Sequence, residues 1–249
     1  MIRKPGLMRG FSLIELLIAV AIGLVLTITV AQLFIGSRQT YATTDDVSRM
    51  QENIRYTYQV LTRTIHLAGY RSSPNNFVED VFTAAEPIVE AVDGGPGIAS
   101  DTFTVRYEGS SNGTGAEDGT VLDCSGAVIA AGLKAVNTFS IGIGANTRPA
   151  LFCNGGELVA DVQNMQVLYG LDTDRDMVAD HYVAGRPDLP SNDVRSMRVA
   201  LLFQTPNPRA AVTPDGQIHT LNGVPLPVFN DTFIRRVVTM TINLRNRTP

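Results

Sequence analysis

Residues 11–35 form an apolar run that is interrupted by one charged side chain, Glu15. A helix of about 25 residues, at ~1.5 Å per residue, is roughly 37 Å long, which is enough to cross a ~30 Å hydrocarbon layer. The alternative, a secretory signal peptide that is removed, would have a shorter apolar region. The run therefore predicts a helix that stays on the chain and anchors it in a membrane.

Glu15 is the residue of this run that most needs an explanation. A carboxylate in the middle of a membrane helix costs about 2.5–3.5 kcal/mol on insertion scales, and less near an end, so it is a functional candidate that needs a partner. A cut between Gly10 and Phe11 would give Phe11 a free α-amino group at the same membrane depth. The alternative is a glutamate that merely lies at the level of the lipid headgroups.

The charges on the two sides of the run predict its orientation. Basic residues precede it, and charges of both signs follow it: Arg3, Lys4 and Arg9 before, Arg38, Asp45 and Asp46 after. Basic segments stay in the cytoplasm, so we expect a cytoplasmic N-terminus and a C-terminal domain in the periplasm. The net charge is −4 without a long basic run, so nucleic acid is not an expected partner.

A helical pattern continues after the apolar run. Apolar residues recur at alternating steps of three and four, which predicts one buried stripe of a helix. They are Val47, Met50, Ile54, Tyr58, Leu61, Ile65 and Ala68. Gly69 predicts the end of the helix. We therefore expect one helix from Phe11 to about Ala68, with residues 11–35 in the membrane and residues 36–70 as its amphipathic continuation.

The remaining residues, 71–249, favour strands and turns. Apolar residues alternate with polar ones around Phe103–Tyr107, Phe139–Ile143, Val199–Phe203 and Val238–Leu244, and further strands are expected at 151–153 and 157–171. Residues 74–100 and 205–231 are rich in Pro or Gly and are expected to form loops. Because no helices separate the strands, the prediction is an α+β protein whose long N-terminal helix packs on a mainly antiparallel sheet.

The chain has two cysteines, Cys124 and Cys153, and both lie in the part expected to be exported. An oxidising periplasm favours a disulfide between them, and a loop of about 30 residues would make it worth roughly 3–4 kcal/mol. The alternative is a pair of buried free thiols.

One acidic segment could bind a metal ion. Asp172, Asp174, Asp176 and Asp180 occupy relative positions 1, 3, 5 and 9, as in the first part of an EF-hand calcium loop. Two departures weaken the match, because Met177 stands where that loop has glycine and Val183 where it has a bidentate glutamate. We expect either a Ca²⁺ site of reduced affinity or a solvated acidic turn between strands.

Catalysis finds little support in the sequence. His66, His181 and His219 are far apart and do not have the spacing of metal ligands, and no nucleophile elbow or Walker loop is present. We therefore expect no enzyme and no required cofactor.

The segment GFSLIELLIAVAIGLVL, which begins at Gly10, resembles the class III signal of type IV pilins and of the pseudopilins of type II secretion. The resemblance implies that prepilin peptidase cuts after Gly10, that Phe11 becomes N-methylated, and that Glu15 pairs with the N-terminus of a neighbouring subunit during assembly. It also implies a pilin fold.

Four further segments resemble PilW-like minor pilins: Arg49–Ser73, Val162–Asp176, Ser196–Phe203 and Phe233–Arg247. Residues 74–160 and 205–231 resemble no known segment. The resemblance implies a minor pilin that primes or regulates assembly of type IV pili and supports twitching motility. Its expected partners are other major and minor pilins, prepilin peptidase and the inner-membrane assembly platform.

Two other functions stay open at this point. A minor pseudopilin of a type II secretion system would share the N-terminal signal and the fold. A pilus-tip adhesin would instead carry a binding site in the segments that resemble nothing.

Overall fold

The structure is a computed structural model, and it describes residues 10–73, 75, 77–97, 99–112, 117–209, 213–214 and 216–246. The chain divides into two compact units, and the division falls between Asp45 and Asp46. Residues 1–9, which make up nearly all of the predicted leader 1–10, lie outside the described residues.

The described residues form two helices, one short 3₁₀ turn and eleven strands. The helices are α1 (Leu13–Leu67) and α2 (Val78–Val81), and the 3₁₀ turn is Ser191–Asp193. The strands are β1 (Val89–Val92), β2 (Thr102–Glu108), β3 (Lys134–Ile143), β4 (Pro149–Cys153), β5 (Gly156–Ala160), β6 (Val162–Leu171), β7 (His181–Ala184), β8 (Val194–Gln204), β9 (Thr220–Leu221), β10 (Val224–Pro225) and β11 (Arg235–Asn243).

In the first unit, the side chains of α1 face outward on every side of the helix. All residues from Gly10 to Tyr41 are exposed, and the large apolar ones between Leu13 and Ile35 are 54–80% exposed. The hydroxyls of Thr27 and Thr29 donate to the backbone carbonyls four residues earlier, at 2.7 and 2.8 Å. Because both threonine hydroxyls donate within the helix, neither needs a water molecule as an acceptor. Both side chains can therefore lie in an apolar environment.

In the second unit, α1 presents one buried stripe to the β-strands. Met50, Leu61, Ile65 and Ala68 are buried, and Val47 and Ile54 pack against the same core, as the pattern predicted. The prediction for Tyr58 is wrong, because its side chain is 53% exposed. Thr57 lies on the stripe instead, and its hydroxyl donates to the Asn53 carbonyl at 2.8 Å, which offsets the cost of burying it.

The helix ends where the sequence predicted a stop. Gly69 has φ +77°, a left-handed conformation that glycine adopts without strain, and its N–H donates to the Arg106 carbonyl of β2 at 2.9 Å. The side chain of Asn246 donates to the carbonyl of His66 in the last turn at 2.8 Å. The end of α1 is therefore tied to the strands by backbone groups as well as by its apolar stripe.

The strands form two antiparallel sheets and a hairpin, whereas the sequence predicted one sheet. The first sheet has the order β1-β2-β3-β4-β5, the second has the order β11-β8-β6-β7, and β9 pairs with β10. All strand pairs are antiparallel, as predicted. The strand expected at 157–171 is two strands of different sheets, because the chain turns at Asp161, whose φ is +65°.

The two sheets share one apolar core with the second part of α1. Phe103 of β2 stacks on Phe139 of β3 with ring centroids 5.0 Å apart, and both side chains are buried with Leu61. On β8, Val199, Leu201 and Phe203 join this core. The residues between them, Ala200 and Leu202, pack with Leu221 and Leu226 of the hairpin region in a second cluster. Since side chains alternate along a strand, β8 is buried on both faces.

Two long-range links fasten the loops of this unit. Cys124 and Cys153 form the predicted disulfide across a separation of 29 residues. Asp46, near the point where burial of α1 begins, forms an ion pair with Arg209 and accepts a hydrogen bond from the Asn207 side chain at 3.2 Å. The segment after β8, which the sequence predicts to be a loop, is therefore attached to the helix at this point.

Candidate functional site

The start of α1 forms a reciprocal capping box. The Ser12 hydroxyl accepts a hydrogen bond from the Glu15 N–H, and Glu15 Oε2 accepts one from the Ser12 N–H, both at 3.2 Å. The Ser-x-x-Glu spacing before an apolar run is the sequence signal of this motif. The contact draws the Glu15 carboxylate toward the N-terminal end of the helix, next to Phe11, which is 90% exposed.

Gly10 is a glycine that the described fold does not require. A Cβ atom added at Gly10 would meet no atom within 4 Å, and the position is not among those with positive φ. Neither close packing nor backbone conformation among the described residues explains a glycine there.

The apolar surface that follows is a membrane-spanning candidate. Within the described residues, α1 is the helix that is long and apolar enough to cross a membrane, with a mean hydropathy of 2.7 over its best window and none of that window buried. Exposing such a helix to water would be strongly unfavourable, because each large apolar side chain contributes about 1.5–3 kcal/mol when it leaves water. The helix is suited to lipid or to other apolar helices.

The acidic loop joins β6 to β7. Oxygen atoms of Asp172, Asp174 and Asp176 all lie within 4.8 Å of one another. Asp172 is buried, while Asp174 and Asp176 are exposed. Asp180 is not in this group: its Oδ2 accepts hydrogen bonds from the Thr173 N–H at 2.7 Å and the Thr173 hydroxyl at 2.6 Å. Three of the four predicted ligands therefore converge, and the fourth closes the loop.

Arg195 of β8 is a residue that the sequence could not connect with this loop. Its Nε donates to Asp172 Oδ2 at 2.7 Å, and the Met177 N–H donates to the same oxygen at 3.1 Å. Burial raises the pKa of the Asp172 carboxyl, but these donors outweigh burial, so the pKa lies below its ordinary value. Asp172 is thus ionised at neutral pH.

The three histidines do not gather into a site. His66 lies in the last turn of α1, His181 begins β7, and His219 tilts against Phe229 with ring centroids 6.1 Å apart. Burial, helped by the nearby Arg245 charge, lowers the pKa of His66. Among the described residues, these positions give no arrangement of a nucleophile and a base.

Two family models match the chain. Residues 8–31 match the prokaryotic N-terminal methylation motif, and residues 138–246 match the model of type IV pilus-assembly protein W. The second match includes residues 138–160 and 205–231, so the expectation that these stretches resemble nothing was wrong. Residues 49–73, which also resembled PilW-like proteins, lie outside both matches.

Individual relatives come from Thermus thermophilus. The chain is 29% identical over 99 residues to pilin-like protein PilA3, an alignment that spans 40% of this chain and 41% of that protein. The structure of a type IV-like pilin from the same organism covers 81% of this chain and all of its own length, at 18% identity and a TM-score of 0.46. The methylation motif spans the predicted junction between Gly10 and Phe11, and the match to the type IV pilus-assembly protein W model includes all four strands of the second sheet. The chain is therefore similar to PilW-like minor pilins over residues 138–246 and carries the prokaryotic N-terminal methylation motif at residues 8–31.

Proposed function

We propose that this chain is a structural and priming subunit of type IV pilus assembly. Residues 11–35 hold it in the inner membrane, with the second unit in the periplasm. Prepilin peptidase cuts after Gly10 and methylates Phe11, and the mature chain then enters the pilus through the assembly platform and contacts with other pilins. The role is structural rather than catalytic.

The observation that carries this proposal is the outward-facing apolar part of α1 with Glu15 at its start. The apolar side chains of residues 13–35 are exposed around the whole helix, so their partners are molecules outside this chain. Lipid fills this role before assembly, and equivalent helices fill it in a filament. A helix that is apolar on every side is typical of a membrane span or a bundle core.

Glu15 sets the axial position of the helix in that bundle. Its carboxylate contacts the Ser12 N–H and therefore lies close to the new terminus at Phe11. In a packed bundle, the ammonium group of a neighbouring Phe11 would neutralise this carboxylate. A single charge pair in an apolar surrounding fixes the register of helices, because other registers leave both charges unpaired.

The processing step is tested by the intact mass of the full-length chain, expressed with and without prepilin peptidase. We expect loss of residues 1–10 and one added methyl group on Phe11 only when the peptidase is present. An intact leader, or a cut beyond residue 30, would remove the basis of the assembly role.

The assembly step is tested by Glu15→Gln. Glutamine keeps the capping box, because its side-chain oxygen also accepts the Ser12 N–H, but it removes the charge. We expect the fraction of the protein recovered in sheared pili to fall at least about tenfold, as a desolvated charge pair is worth more than ~1.4 kcal/mol. The membrane-bound amount and Phe11 methylation should not change.

Glu52→Gln is the matched control, since Glu52 is an exposed glutamate on the same helix. It should leave incorporation into pili unchanged. Equal incorporation of the Glu15→Gln and wild-type chains would contradict the registration role.

The match to the pilus-assembly protein W model supports a pilus over a secretion system. A deletion strain separates the two: loss of twitching motility with normal exoprotein secretion supports the pilus subunit, and the reverse supports the pseudopilin. An adhesin would show saturable binding of the purified full chain to surfaces.

A further inference from the structure

We propose that the loop between β6 and β7 binds one Ca²⁺ ion through the carboxylates of Asp172, Asp174 and Asp176. The proposal concerns the second unit alone, and it does not depend on the role in pilus assembly.

The positions of the three carboxylates match the size of a shared cation. Oxygens that coordinate one Ca²⁺ at about 2.3–2.6 Å lie at most ~5 Å apart. The ligand oxygens of Asp172, Asp174 and Asp176 lie within 4.8 Å of one another. Without a cation, three negative charges at this spacing repel each other, while the Arg195 guanidinium pairs with the Asp172 carboxylate.

A buried oxygen of Asp172 provides the second, independent observation. The Asp172 side chain is 0% exposed, and its Oδ1 makes no hydrogen bond, while Oδ2 accepts from both Arg195 and Met177. A buried charged acceptor without a partner costs more than the ~1–3 kcal/mol of a neutral group. This buried oxygen is therefore available as a ligand for a cation in the loop.

The exposed ligands retain coordination capacity as well. Asp174 Oδ1 accepts the Asp176 N–H at 3.2 Å, and Asp176 Oδ1 accepts the Val178 N–H at 2.8 Å. Each of these bonds uses one oxygen and orients the other. A cation would therefore enter from the solvent between the exposed carboxylates of Asp174 and Asp176 and contact the buried carboxylate of Asp172.

The structure also explains the first departure from an EF-hand loop. Met177 occupies the position of the usual glycine, and it nevertheless has φ +75°, the left-handed conformation that the sharp turn requires. The second departure from an EF-hand loop remains in the structure: Val183 lies in β7 and supplies no carboxylate in place of the bidentate glutamate. Three protein carboxylates with water completing the shell suit Ca²⁺, which accepts irregular geometry, at the millimolar affinity of extracellular modules.

The test uses the full-length chain in detergent micelles, freed of metal by EGTA treatment. Thermal unfolding is followed by circular dichroism, since the chain lacks Trp, in 5 mM CaCl₂, 5 mM MgCl₂ or NaCl of equal ionic strength. For a dissociation constant of roughly 10⁻⁴–10⁻³ M, we expect CaCl₂ to raise the Tm by about 2–8 °C. Titration calorimetry should give one ion per chain.

The variant Asp174→Asn, Asp176→Asn removes two ligand charges and keeps the acceptor oxygens of the turn. It should fold without calcium and lose the Tm shift. Asp188→Asn is the matched control, because Asp188 is an exposed carboxylate outside the loop with a side chain 83% exposed; it should retain the shift. If the double variant does not fold, Asp176→Asn alone should weaken Ca²⁺ binding about tenfold or more.

Three results would overturn the proposal. They are no Ca²⁺-dependent shift in the wild-type chain, an equal shift in the double variant, and an equal shift with MgCl₂.

Discussion

The two parts of α1 have opposite relations to the rest of the chain. From Leu13 to Tyr41 every residue is exposed, including side chains as apolar as Leu24 at 60%. From Asp46 onward the same helix buries a stripe, in which Leu61 and Ile65 are 0% exposed. One continuous helix therefore combines a part that is exposed on every side with a part that buries one stripe.

The difference follows from how apolar residues are distributed around the helix. In the first part they occupy all sides, so burying one face would leave the others in water. In the second part they share the circumference with charged residues such as Arg49, Glu52 and Arg55, which are exposed. A single stripe is enough for packing on sheets, whereas an apolar circumference requires lipid or several helices.

The largest expected difference in the free energy of unfolding is between a Leu→Ala substitution in the second part of α1 and one in the first part. Leu61→Ala should lower the free energy of unfolding by about 3–5 kcal/mol, because it removes a fully buried side chain and leaves a cavity. Leu24→Ala should change it by less than ~0.5 kcal/mol, because Leu24 makes no contact with a core. The measurement is urea unfolding of the full chain in detergent micelles, and equal effects would contradict the division of the helix.

A smaller contrast is expected at the boundary between the two parts. Asp46→Asn removes the charge that pairs with Arg209, whose side chain is 19% exposed. Because the guanidinium retains some solvent contact, we expect a loss of about 2–3 kcal/mol, below the ~3–5 kcal/mol of a fully buried pair.

The preceding residue provides the control for this boundary. Asp45 is exposed, so Asp45→Asn should change the unfolding free energy by less than ~0.5 kcal/mol in the same assay. A similar loss at Asp45 and Asp46 would mean that the buried part of α1 does not begin at Asp46.

The smallest expected effect is at the first turn of α1. Ser12→Ala removes the hydroxyl that accepts the Glu15 N–H, which should cost about 1 kcal/mol of local helix stability. Hydrogen exchange should become faster for the amides of residues 13–16 and stay unchanged for residues 57–65. Ser12→Thr, which keeps the hydroxyl, should restore protection; faster exchange in the second part would show that the two parts are coupled.

Local patterns in the sequence predicted much of the fold. Alternation identified β2, β3, β8 and β11, and the three-to-four spacing identified the buried stripe at Met50, Leu61 and Ile65. The pattern places Tyr58 on the stripe because it lies four residues after Ile54 and counts as apolar, whereas Thr57 occupies the stripe in the structure. A threonine can be buried when its hydroxyl donates to a backbone carbonyl of its own helix, as Thr57 does. A pattern of apolar residues alone does not detect such a position.

The candidate sites were predictable only in part. The acidic loop was recognised from its spacing, but its grouping of three carboxylates and the contact with Arg195 depend on β8, which follows the loop in sequence and pairs with β6. Short strands β9 and β10 were missed in the Pro-rich segment, since two-residue strands leave no measurable alternation.

The sequence by itself determined the long apolar helix, the position of Glu15 near its start, the two cysteines of the disulfide and the antiparallel character of the domain. These features depend on contiguous residues, on periodicity or on the presence of only two cysteines. The tertiary structure decided that the strands divide into two sheets, that Asp46 meets Arg209, and that Asp172 is buried beside Arg195 while Asp180 closes the loop. Such contacts join residues distant in sequence, and their energies depend on burial and direction, which residue order alone does not specify.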